Sequence, residues 1–310
     1  MILVTGATGF VGRSLTATLR RSGREVVTLR RGSGPPGADE RVVPSIDGAT
    51  DWAGQLNGVR TIVHCAARVH QMRERSTDND EYRHVNTLGT IRLAEAAAAS
   101  GTERFVFLSS IKVNGDFTSA GQRFTPEASS RPVDEYGRSK AEAEDGLRIV
   151  AEQSGMQVVV VRPTLVYGPG ARGNIARLLW LLGHRIPLPF GSVTNRRSIT
   201  GLANLVGFLQ VCVDHRAAPG RTFIVSDDEV LSTAQVLRIL GDAQGRKAIL
   251  LPVPLSVLRA VGRLGRAEGY VHRLLSDLEV DASACREVLG WRPELTAMQS
   301  VASVHAPSMQ

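Results

Sequence analysis

Over the first half of the chain, short unbroken apolar runs alternate with stretches in which apolar residues recur every three or four positions. The runs predict strands at residues 2–5, 25–29, 61–66, 104–109 and 157–162. The periodic stretches predict a helix over 11–21, with Val11, Leu15 and Leu19 on one face, and a long Ala-rich helix over 80–100. A third helix starts at Asp134, whose side chain is suited to cap it. Residues 31–40 read as a loop from their Gly and Pro content. Unbroken Val/Ile/Leu runs suit strands buried on both faces, so the fold class is α/β with a parallel sheet between helices. Past residue 168 the pattern loosens. Gly168-Pro-Gly170 punctuates the chain, and helices are predicted at 174–182, 232–240 and 255–264, an extended segment at 186–189 and a strand at 222–225. This predicts a main domain over 1–167 and a smaller α/β substrate lobe over 168–310, some of whose segments are candidates for return to the main domain.

The first turn says what the main domain holds. Thr5-Gly6-Ala7-Thr8-Gly9-Phe10-Val11-Gly12 follows the first strand and opens the first helix. Glycines there allow a tight turn and close backbone approach to a pyrophosphate, which then faces the helix N-terminus. The spacing is Gly-x-x-Gly-x-x-Gly, and its strand–turn–helix context reads as a Rossmann-type, doubly wound dinucleotide-binding domain. At the end of the second strand an acid commonly holds the ribose 2′-OH of NAD, and Arg the 2′-phosphate of NADP. Here the chain reads Thr28-Leu29-Arg30-Arg31. A guanidinium matches a phosphate, so NADP(H) is favoured and NAD(H) stays open.

Composition narrows the class. The chain has 310 residues, 43% hydrophobic and 22% charged, as expected of a soluble globular protein. No apolar run reaches the ~18 residues of a membrane span, and no secretory signal is expected from a start that enters a strand at once. Cys65, Cys212 and Cys285 show neither a disulfide framework nor metal spacing, so a reducing cytoplasm and no metal are expected. The net charge of +7 comes with only 5% aromatics. That argues against nucleic acid and for a small anionic ligand. Lys112, Lys140 and Lys247 are the only lysines among 37 basic residues.

Tyr136 and Lys140, four apart, share one helix face. A nearby cation favours the phenolate and lowers a phenol's pKa, which suggests a tuned proton donor. In order along the chain, the turn at 5–12, His64-Cys-Ala-Ala67, Val85-Asn86 with Gly89-Thr90, Ser109-Ser110, Tyr136-x-x-x-Lys140, Arg162-Pro163 with Val166-Tyr-Gly-Pro169, and Leu289-Gly-Trp-Arg-Pro293 cover nearly all of it. With this set the chain resembles the extended short-chain dehydrogenase/reductases, in their nucleotide-sugar epimerase/dehydratase branch. The resemblance implies Tyr136 as the acid–base, Lys140 as its tuner and ribose ligand, and Ser110 on the reacting oxygen. It implies a cofactor-binding set of Gly6, Thr8, Gly9, Phe10, Val11, Gly12, Arg30, Arg31, Ile46, Ala66, Ala67, Asn86, Ser109, Pro163 and Val166, with Tyr136 and Lys140. For the substrate it implies Arg68, Ser110, Lys112, Asn174, Arg197 and Arg273, with the last three on a nucleotide diphosphate.

Departures from the branch's patterns narrow the reaction. Dehydratase-like members place an Asp-Glu pair after the serine or threonine, where this chain has Ile111-Lys112, so water elimination is not expected. Lys112 is read either as a substrate-facing cation or as a solvated loop residue. Ser109-Ser-Ile-Lys-Val-Asn-Gly115 resembles the bacterial UDP-4-keto-6-deoxy-sugar C4-reductases of O-antigen synthesis, which make UDP-N-acetylquinovosamine. With Arg30, this makes an NADPH-dependent C4-keto reduction of a UDP-sugar the first expectation. A UDP-glucose or UDP-N-acetylglucosamine 4-epimerase with bound NAD is the alternative, and a non-catalytic dinucleotide sensor a distant one. The helices at 80–100 and 134–154 resemble those that form dimers in the family, so a homodimer is expected.

Overall fold

Seven parallel strands form the main sheet of the computed structural model, which describes residues 1–69, 78–168, 170–171, 174–265 and 268–302. They are β1 (Ile2–Thr5), β2 (Val26–Arg31), β3 (Glu40–Val43), β4 (Thr61–His64), β5 (Arg104–Leu108), β6 (Gln157–Pro163) and β9 (Arg221–Val225). Their order is β3-β2-β1-β4-β5-β6-β9, every neighbouring pair parallel. The chain winds outward from β1 to β3, then crosses over to β4 and winds the other way. The crevice of such a sheet opens where that order reverses, between β1 and β4.

The two faces are packed separately because successive strand residues point to opposite sides. Val4, Val63, Val106 and Val159 face Leu15 and Leu19 of α1 (Phe10–Arg21) and Leu205, Phe208 and Leu209 of α6 (Leu202–Asp214). Leu3, Ile62, Phe105 and Val158 face Leu93 and Ala97 of α3 (Gly89–Ala99) and Ala143 and Leu147 of α4 (Glu135–Ser154). Helix α6 escapes the periodicity reading because it is buried nearly all round, and a helix apolar on every side has no stripe.

The helix expected over 80–100 is interrupted. Helix α2 (Asp78–Tyr82) runs into a π-helical segment, Arg83–Leu88, and then into α3. Gly89 sits where the chain passes the backbone of Ile46 and Asp47, and a Cβ there would lie 2.9 Å from the Ile46 carbonyl oxygen. Strand β2 runs on to Arg31, so Arg30 lies inside a strand paired with Val42 of β3. The loop expected over 31–40 ends where β3 begins.

Residues past 168 divide between the two parts of the molecule. Strand β9 and α6 complete the main sheet. The lobe is built on β7 (Leu165–Tyr167), β8 (Arg197–Gly201) and β10 (Val230–Leu231), in the order β10-β8-β7. Helices α5 (Asn174–Gly183), α7 (Thr233–Ala243) and α11 (Ala297–Ala302) share its core through Leu178, Leu182, Leu237, Leu240 and Val301. Beyond it lie α8 (Leu255–Leu264) and α9 (Glu268–Leu275), and α10 (Ser283–Leu289) returns to the main core through Cys285 and Leu289. Buried Asp227 joins the parts. It accepts from Tyr167 Oη at 2.5 Å, Gly201 N at 3.0 Å and Asn204 Nδ2 at 2.7 Å. Burial raises its pKa above the ordinary carboxylate value. Among the described residues no helix is long and apolar enough to cross a membrane.

Candidate active site

The sequence-predicted residues gather along the C-terminal edge of the sheet. The glycine turn follows β1, residues 65–68 follow β4, Ser109 and Ser110 follow β5, and Pro163 ends β6. Gly6 has φ of +67°, and a Cβ there would lie 2.6 Å from Ala66 N, so β1 and β4 meet here backbone to backbone. A Cβ on Gly12 would lie 2.2 Å from Gly6 O. Gly9 precedes α1, and no side chain caps that terminus. Its first N–H groups, with their positive dipole end, face the switch-point crevice, an arrangement that fits a pyrophosphate. Phe10 and Val11 pack against the core below, and Thr8 is exposed.

A buried relay holds the crevice in shape. His64 Nδ1 lies 2.7 Å from Thr5 Oγ1, and its Nε2 3.0 Å from Thr90 Oγ1. Thr90 gives its own proton to Asn86 O at 2.7 Å. It therefore accepts from His64 Nε2–H, which leaves Nδ1 to accept from Thr5. Burial, with the Lys140 charge as a lesser cause, drops the His64 pKa to about 3, so the ring is neutral. At the other end Asn86 accepts from Arg68 N at 2.7 Å and donates to Arg68 O and Ser139 Oγ, both at 3.0 Å. The π-helical segment aims Asn86 into this position.

Tyr136, Lys140 and Glu144 follow one another at four-residue intervals along α4. Asp134 caps the helix, accepting from Gly137 N at 2.8 Å. Burial, then the Asp134 charge, pushes the Tyr136 phenol up to about 12, while a hydrogen bond with Ser110 pulls it down. The Lys140 ammonium donates to Leu108 O at 2.9 Å and lies 4.4 Å from the Phe107 ring centre. At 1% exposure, burial lowers its pKa to about 8, opposed by the charges of Cys65 and Glu144. Ser110 is thus a direct partner of Tyr136, and Lys140 a buried cation one helical turn along the same face.

Glu144 is a site residue that the sequence reading missed. Ser109 Oγ donates to it, and Arg162 grips it through Nε at 3.0 Å and Nη2 at 2.5 Å. Arg162 Nη1 also reaches Asn114 Oδ1 at 3.0 Å. This pair fixes the end of β5, from which Ser110 projects. The signal was present, since Glu144 is the next same-face position after Lys140.

Other expected residues are placed differently. Lys112 bonds Asp116 at 2.7 Å and Asp134 at 2.6 Å. Two carboxylates hold its ammonium, so it serves as a brace between the β5 loop and the α4 cap rather than as a solvated loop residue. Arg30 Nε meets Glu40 at 3.2 Å, and its Nη groups reach Ser33 O and Pro35 O. Arg31 is exposed, and Ile46 is buried in the core. Arg68 pairs with Glu81 at 2.6 Å. Arg197 donates to Arg273 O at 2.6 Å and Ser276 O at 3.0 Å, at the C-terminal end of α9. Its guanidinium therefore holds the segment that bears Arg273, whose own side chain is half-buried. Val166 packs partly buried in β7. The side chain of Asn174 and the whole of Pro169 lie outside the described residues.

Residues 2–222 match the NAD dependent epimerase/dehydratase family. The chain is 42% identical over 302 residues to a UDP-glucose 4-epimerase of Vibrio cholerae, covering 96% of this chain and 92% of that one. Among solved structures it is similar to MoeE5 in complex with UDP-glucose and NAD, at 25% identity and a TM-score of 0.76, covering 97% of this chain and 96% of that one. It is also similar to a UDP-N-acetylglucosamine 4-epimerase from Bacillus cereus, at 23% identity and a TM-score of 0.78, covering 98% and 94%; that likeness speaks for the fold.

Proposed function

Because the chain belongs to the NAD dependent epimerase/dehydratase family, we propose that it is an NAD-dependent 4-epimerase of a UDP-hexose. One observation carries the reading: Ser110, Tyr136 and Lys140 stand together at the crevice of a chain 42% identical, almost end to end, to a UDP-glucose 4-epimerase. When bound, NAD supplies a hydride acceptor that can return the hydride to either face of the same carbon. Tyr136 takes the proton from the sugar O4 and gives it back. Ser110 holds the phenol and the reacting oxygen in line. A phenol near 12 is a poor base at neutral pH. The cationic Lys140 favours the phenolate, and the positive charge of a bound oxidised nicotinamide would do the same.

NAD rather than NADP is the cofactor of this reading. Arg30, the reason for expecting NADP, is engaged by Glu40, a carboxylate that would face a 2′-phosphate. We take Arg273 as a ligand of the substrate diphosphate and Arg197 as the residue that positions it. The exposed faces of α3 and α4 are taken as a homodimer interface.

C4-keto reduction is the second reading, favoured by the protonated resting state of Tyr136, which suits a donor. One experiment separates the two. Purified protein is mixed with UDP-glucose without added cofactor, UDP-galactose is followed, and the nucleotide released on denaturation is identified. The epimerase reading expects interconversion and released NAD. No interconversion, together with oxidation of NADPH by a UDP-4-keto-6-deoxy sugar, would replace it with the reductase.

A further inference from the structure

The lobe carries an apolar surface that catalysis does not use. Helix α8 packs inward through Leu255, Leu258 and Gly262, against Val193, Val271 and Leu275. Its outer side presents Val257, Val261 and Leu264, spaced i, i+4, i+7, which places them in one stripe. Val261 is 61% exposed and Leu264 87%. Ile249 and Leu251, in the strap leading to the helix, are exposed as well. Among the described residues these are five of the twelve large apolar side chains left exposed, and all lie between 249 and 264.

The same stretch concentrates positive charge. Residues 246–273 contain six basic side chains and a single acid, Glu268. That is a net of +5 within a chain whose net charge is +7. Glu268 pairs with Arg263 at 3.3 Å, in the open. A second copy docked on this face through a twofold contact would bring a like charge against it, which is unfavourable. An anionic surface would be attracted, and an apolar stripe on a basic helix is the pattern of an element lying in a membrane interface.

We propose that α8 docks the protein on the surface of an anionic lipid bilayer. The helix lies in the plane of the interface, with Val257, Val261 and Leu264 among the upper acyl segments. Arg259 and Arg263 leave the helix on another side, within its diameter of about 10 Å. That is comparable to the range over which a charged surface acts at physiological salt, and long Arg stems can reach toward headgroups. This docking does not depend on the catalytic reading.

Flotation of the full chain with vesicles tests it. The protein is expected to float with phosphatidylcholine vesicles containing phosphatidylglycerol, not with phosphatidylcholine alone, and less so as salt rises. Val257→Ser/Val261→Ser/Leu264→Ser should lower partitioning about tenfold or more. Arg259→Glu/Arg263→Glu should lower it about thirtyfold or more. Both sets replace exposed residues and are expected to keep wild-type melting and turnover of a soluble nucleotide sugar. Failure of the wild type to float with the anionic vesicles overturns the proposal, as does flotation unchanged in both variants. Self-association lost in the triple variant, with flotation kept, would assign the stripe to a second copy instead.

Discussion

His64 shows how much a single buried group can decide. Its imidazole links the ends of β1 and β4 to the start of α3, and it does so as a neutral ring. An unfolded chain takes up a proton near the ordinary value of 6.5, whereas the folded one resists it down to about 3. The unfolded state therefore binds more protons between those values. The stability this contributes is complete above pH 6.5 and is lost as pH falls toward 3. In His64→Gln that component is absent, so the urea midpoints of wild type and variant should converge between pH 7 and 4. Tyr136→Phe keeps the ring packing and removes the transferable proton. It should lower kcat/KM by about 10²–10⁴ while the retained nucleotide is unchanged, measured by turnover and by cofactor released on denaturation. Glu40→Ala frees Arg30 for a phosphate and should shift the ratio of NADP to NAD dissociation constants toward NADP by about tenfold, as read by titration calorimetry. No shift would mean that Arg30 does not reach the 2′ position.

At the level of elements, the proposed chemistry rests on α4. Its cap, Asp134, also takes one arm of Lys112, so one carboxylate holds both the helix start and the loop after β5. Tyr136 is in the first turn and would feel any fraying. Asp134→Ala should cost about 1–3 kcal/mol of stability and lower kcat more than it raises KM, measured by denaturant unfolding and steady-state kinetics. The cap was legible from Asp134 before an amphipathic run. The brace was not, because Lys112 and Asp134 are 22 residues apart. The break in the helix after residue 82 was equally hidden. Ala-rich sequence favours a continuous helix, and the π-helical segment that interrupts it seats Asn86 between the backbone of Arg68 and the hydroxyl of Ser139.

At the scale of the whole molecule, the boundary near residue 168 is an exchange between two parts rather than a cut. Strand β9 and α6 complete the main sheet, and β8 between α5 and α6 belongs to the lobe. Asp227, just past β9, binds the end of β7, the start of α6 and, through Asn204, the carbonyl of Leu295. Asp227→Ala strands three buried donors at once. It should cost about 3 kcal/mol or more, with loss of activity tracking loss of fold in parallel denaturant curves. The charge map also belongs to this scale. The basic stretch at 246–273 could be counted in the sequence, but its meeting with an exposed apolar stripe needed the packing of α8 on α9.

From the amino-acid sequence alone came the parallel sheet, the nucleotide turn and the pairing of Tyr136 with Lys140 on one helix face. Those signals are local: unbroken apolar runs, a glycine spacing, a four-residue interval on one helix. The tertiary structure alone decided which partner each charge found. Arg30 turned to Glu40, Lys112 to two aspartates, Arg197 to the end of α9, and Lys140 to the backbone carbonyl of Leu108. A charged side chain can be read from sequence as a candidate, but its role follows from the burial and the nearest opposite dipole, and these are set by packing between segments distant along the chain.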